Sequence, residues 1–126
     1  MSCFVHVATR LVDLDTVERA AREIGYAVRR GERVAVAGWN EQTTEAELAV
    51  ALGNGYDVGV VRGEQGCTLV ADWQMAREDA TSFTNRLAQA YGQVTVREQA
   101  KRQGYVIAKE ERQADGSVRM LLRRFT

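Results

Sequence analysis

The chain has 126 residues, 45% hydrophobic and 27% charged, with a formal net charge of zero. That length suits one domain with one buried core. The composition excludes a disordered or low-complexity chain, and the neutral balance gives no overall pull toward nucleic acid or anionic lipid.

In chain order, Met1–Val7 has no basic region followed by an apolar stretch, so no signal peptide is expected. No later run is long and apolar enough to span a bilayer. A cytoplasmic protein is the resulting expectation. Phe4–Arg10 alternates as a first strand. A helix follows, with Asp15 and Glu18 at capping-box spacing. Leu14, Val17, Ala21 and Ile24 form its apolar face, and Gly25 stops it.

From Tyr26 to Trp73 the period is two. Strands are predicted at 26–30, 33–39, 45–52, 56–62 and 67–73, separated by glycine-containing turns. The alanine-rich stretch 45–52, with two glutamates, also suits a helix. A second helical region starts near Asp79, with Phe83, Leu87 and Tyr91 as its stripe and a break expected at Gly92. Thr95 and Glu98 suggest a third helix, with Val96 and Ala100 inward and a stop at Gly104. The chain closes in a hairpin of 105–113 and 117–125. A three-residue turn with Gly116 left-handed sets Glu111 against Arg119, Ala108 against Leu122 and Tyr105 against Phe125. The predicted fold is one α+β domain over residues 1–126: an antiparallel sheet, two or three helices on one face, and a terminal β-hairpin.

Catalytic signatures are sparse. His6 is the single histidine, and Cys3 and Cys67 are the two cysteines. Neither residue type is spaced for a metal, and Cys67 is expected to be buried and inert. The Gly53–Gly55 turn leads into a strand rather than the helix a phosphate loop needs. No nucleophile elbow appears. No cofactor and no metal ligands are predicted.

One constellation stands out. A 56–62/67–73 hairpin sets Asp57 opposite Asp72 and Tyr56 opposite Trp73. Opposed carboxylates on one sheet face repel. They could share a proton or a cation, be neutralised by an arginine (Arg86 is the candidate), or be separated by a bulge. Together with Trp39, the aromatics also suit a recognition surface.

These blocks resemble a family: Asn54-Gly55-Tyr56-Asp57-Val58-Gly59, Ala71-Asp72-Trp73, Asn85-Arg86-Leu87 with Tyr91, and Asp115-Gly116-Ser117-Val118-Arg119. It is an uncharacterised family of small proteins encoded in algal plastid genomes and many bacteria, often beside a AAA-type ATPase. The likeness runs nearly the full length, with departures at Cys3, where the family often has histidine, and in the 40–52 region. It implies an accessory or adaptor role.

The leading expectation is therefore a non-enzymatic binding or adaptor protein. Its surface would include Tyr56, Asp57, Asp72 and Trp73, and its partner would be a protein such as a AAA-type ATPase. The alternatives are a small-molecule- or metal-binding enzyme using the Asp57/Asp72 pair, and nucleic-acid binding through the basic tail. Residues 95–126 carry eight Lys/Arg against four Asp/Glu, whereas 1–94 carry nine against thirteen. Lys101, Arg102, Arg119, Arg123 and Arg124 would carry that last activity.

Overall fold

The computed structural model describes residues 3–124. A short strand β1 (Val5–Ala8) leads to helix α1 (Leu14–Glu23). The helix begins two residues earlier than its capping-box pattern implies. Asp13 is the cap, accepting the Asp15 N–H at 3.1 Å and the Thr16 hydroxyl at 2.9 Å. Asp15 and Glu18 instead hold Arg30, which draws both carboxyls below their ordinary range. Leu14, Val17, Ala20 and Ala21 are buried, and Gly25 ends the helix at φ 96°.

Strands β2 (Ala27–Ala37) and β3 (Thr43–Ala51) form a long hairpin. The two strands expected at 26–30 and 33–39 are one strand with an irregularity between Arg30 and Val34. The alanine-rich stretch is strand. Strands β4 (Asp57–Val61) and β5 (Thr68–Ala71) complete an antiparallel sheet of order β1-β5-β4-β3-β2.

One face of this sheet is sealed by helices. Val28, Leu48, Val50, Val58, Val60 and Leu69 meet Val17 and Ala21 of α1, with Phe83 and Leu87 of helix α3 (Ala80–Arg102). Gly92 does not break α3. One glycine costs a helix only about 1 kcal/mol relative to alanine, and buried Leu87, Ala90 and Val94 carry the packing across it. The expected third helix is therefore the second half of α3. Thr95 turns its hydroxyl back to the Tyr91 carbonyl at 2.9 Å instead of capping. Val96 is exposed and Ala100 buried.

The opposite face is covered by the sheet's own hairpin. Val36 and Ala46, beyond the irregularity in β2, cluster with Ala49 and pack over Gly59. A Cβ on Gly59 would stand 2.7 Å from Val36 Cγ2 and 2.9 Å from Val70 Cγ1. Only a residue without a side chain allows this close approach.

The chain ends in β6 (Tyr105–Arg112) and β7 (Val118–Arg124), a separate two-stranded sheet. Gly116 takes φ 88° and Glu111 pairs with Arg119, as the three-residue turn requires. A bulge at Ala108 then shifts the register. Ile107, not Ala108, faces Leu122, and Tyr105 faces Arg124. The expected partner Phe125 lies outside the described residues.

Candidate functional site

The β4–β5 pairing has the expected register, with Gly59 opposite Val70 and Val61 opposite Thr68. Continued by two residues, it would bring Asp57 opposite Asp72. The ladder stops short of them because the chain turns at Asp72 into a single helical turn, α2 (Trp73–Ala76). Trp73 thus lies on a helix rather than in a strand.

Both aspartates are buried, Asp57 at 8% exposure and Asp72 at 2%. Burial of a carboxylate is costly unless it is paired or well hydrogen-bonded. Asp57 has an ion pair and hydrogen bonds, and Asp72 accepts backbone N–H groups. Asp57 Oδ2 accepts from the Arg29 guanidinium at 2.9 Å and from the Ala37 N–H at 3.3 Å. Asp72 Oδ1 caps α2 through the Met75 N–H at 3.2 Å, and its Oδ2 accepts the Trp39 N–H at 3.0 Å. The two carboxylates therefore grip the same piece of backbone, Ala37–Trp39, where the β2–β3 hairpin folds over the sheet. Arg29 neutralises Asp57. Arg86 instead donates to the Tyr26 hydroxyl and to Glu78, each at 3.0 Å.

The gripped segment carries the tip of the hairpin. Asn40 and Glu41 both take positive φ, 55° and 62°, and the Gln42 N–H closes the turn on the Trp39 carbonyl at 3.1 Å. A left-handed conformation is uncommon for residues other than glycine, and least costly for asparagine and aspartate. Trp39 is 37% exposed at this tip. Tyr56 and Trp73 are half-buried. Trp73 packs on Phe83 with ring centroids 6.0 Å apart and donates its indole N–H to the Val5 carbonyl at 3.1 Å. Asn54 ties the β3–β4 turn to this corner, donating to the Ala76 carbonyl at 2.9 Å.

Of the four residues expected at the site, Asp57 and Asp72 lie in the interior, while Tyr56 and Trp73 reach the surface. Sequence reasoning missed Arg29. Its place depends on strand order: Arg29 pairs with Ala49 and Ala49 with Gly59, so Arg29 shares a sheet face with Asp57. Among the described residues, no three His, Cys, Asp or Glu side chains gather into a possible metal site. Cys67 is buried, and desolvation pushes its thiol pKa up; Cys3 is exposed.

Comparison with known proteins places the chain. Residues 20–121 match the family described as "Protein of unknown function (DUF1257)". The chain belongs to this family. Three similar relatives each bear the name "Uncharacterized protein ycf35". The one from Guillardia theta is 27% identical, and those from Pyropia yezoensis and Cyanophora paradoxa are each 24% identical. Each alignment spans 99% of this chain and 98% of the relative. No solved structure matches. The quoted family blocks fall largely on residues that hold the fold. Asn54 and Asp72 tie loops together, the Tyr91 hydroxyl accepts the Asp13 N–H at 3.1 Å, and Asp115 closes the last turn on Ser117. No helix among the described residues is long and apolar enough to cross a membrane.

Proposed function

We propose that the protein is a non-enzymatic binding or adaptor protein, accessory to a protein partner such as a AAA-type ATPase. Its recognition surface is the corner built from Tyr56, Asp57, Asp72 and Trp73 together with Trp39. The supporting observation is how the two carboxylates are used. Both accept N–H groups of Ala37–Trp39, so they fix the position of an exposed tryptophan. Trp39 and Tyr56 make the contact; Asp57 and Asp72 hold the platform. Rigidly held aromatics bury large area at small entropic cost, which suits them to interaction hot spots.

The test is a pull-down from native extract with wild type beside Trp39→Ala/Tyr56→Ala, followed by reconstitution from purified components. The expected result is a protein bound by wild type and lost by a variant that still melts cooperatively. Equal binding by both baits, or no specific protein, overturns the reading. A thermal-shift panel of divalent metals and metabolites addresses the carboxylate-pair enzyme. A rise in melting temperature abolished by Asp57→Asn would favour that alternative, since a ligand bound only to the native state stabilises it.

A further inference from the structure

The terminal hairpin has an outer edge that no strand among the described residues pairs with. Strand β6 lies against α3, and Arg97 of α3 reaches Glu110 of β6 at 2.7 Å as well as Glu23 of α1. Strand β7 has β6 on one side and, among the described residues, no strand on the other. The hydrogen-bond phase follows from the turn. The Gln113 N–H donates to the Ser117 carbonyl at 2.8 Å, so bonded pairs alternate from there. Val118 and Met120, opposite Arg112 and Glu110, then turn their N–H and C=O groups outward. Such a row is a template for another strand.

The side chains along this edge are both apolar and basic. Leu121 is 60% exposed and Leu122 38%. Arg119 and Arg123 form no ion pair among the described residues, and Arg124 lies 5.5 Å from the centre of the Tyr105 ring. A two-stranded ribbon is marginal by itself in water and gains from a third strand. Charge chooses among occupants. Pairing two copies of β7 about Leu121 would set Arg119 opposite Arg123 twice, and like charges directly opposite destabilise. Pairing about Met120 would set Arg119 opposite Leu121 and give neither arginine an acidic partner, which an acidic strand supplies. A nucleic acid would use the arginines but not the outward amides or leucines.

We propose that the outer edge of β7 docks an extended segment of a partner protein, alternating apolar and acidic residues, which adds as a third antiparallel strand. The main-chain bonds would come from Val118 and Met120, and specificity from Arg119, Arg123 and Leu121. This rests on the adaptor reading and names the chemistry of the partner. It uses a surface other than the Trp39 corner, so the two can fail separately.

The test uses labelled synthetic peptides and the full chain. The probe is a peptide alternating leucine or valine with glutamate. Controls are the same sequence with lysine for glutamate and an isomer of equal charge interrupted by prolines. The expected result is saturable binding of the first alone, with the Met120 amide gaining protection from hydrogen exchange. Arg119→Glu/Arg123→Glu should weaken it about tenfold or more, while Trp39→Ala leaves it unchanged. Four results overturn the proposal: no binding, equal binding of the proline isomer (charge without strand addition), displacement by single-stranded oligonucleotide, or a β7-dependent dimer in sedimentation. Should binding fail while the Trp39-dependent pull-down succeeds, the adaptor reading stands and this edge is not its partner site.

Discussion

The molecule contains two long hairpins that solve the same problem differently. The β2–β3 hairpin folds back over its own sheet, where Val36 and Ala46 are buried and two interior aspartates hold its backbone. The β6–β7 hairpin projects from α3, keeps leucines in water, and is tethered through Arg97, Glu23 and Glu110. The contrast teaches that hairpin stability depends less on its ladder than on what covers its faces. Buried, satisfied hydrogen bonds fix the first. Partly exposed ion pairs, worth about 0–1 kcal/mol each, hold the second.

The largest expected effect comes from opening the first clamp. Asp72→Ala leaves the Trp39 and Met75 amides without their acceptor in a partly buried corner. Each such group costs about 1–3 kcal/mol, so a loss of about 3 kcal/mol in urea unfolding is expected. Asp72→Asn keeps a carbonyl oxygen for one of the amides and should lose less. Loss below about 1 kcal/mol for the alanine variant would mean the aspartate does not hold the hairpin.

Next comes the packing beneath that hairpin. Gly59→Ala drives a methyl into Val36, Val70 and Ala46, the last 3.1 Å away. Overpacking of this kind costs about 1–3 kcal/mol, and the strain should appear as faster hydrogen exchange in 34–46. An equally stable variant would show that the hairpin lifts freely from the sheet.

The same contrast explains what was legible in the sequence. The antiparallel α+β fold, the β4–β5 register and the Gly116 turn follow from local rules of period, turn chemistry and cross-strand pairing. What escaped depends on tertiary contact. Packing on both sides carries α3 through Gly92. The fold-back of β2–β3 rests on Gly59, whose role becomes visible only when a distant strand lies over it. The opposed pair Asp57 and Asp72 was readable as needing a partner. Arg86 looked suitable from its place on the following helix, but Arg29 reaches Asp57 through strand order, which one sequence does not display. Nor does it display the bulge at Ala108, because a one-residue slip leaves the alternation of either register intact locally.

The smallest predicted effect sharpens the other side of the comparison. Arg97→Gln removes the guanidinium that joins Glu23 to Glu110. The global unfolding free energy should change by less than about 1 kcal/mol, since these groups are partly solvated and salt-screened. Local opening should respond more strongly, because β6–β7 has few other tethers. Amide exchange in 105–124 should accelerate while 43–61 stays unchanged, the pattern of a subglobal unit opening alone. Acceleration across both regions would mean the terminal hairpin unfolds only with the sheet, and the two hairpins would then share one cooperative unit.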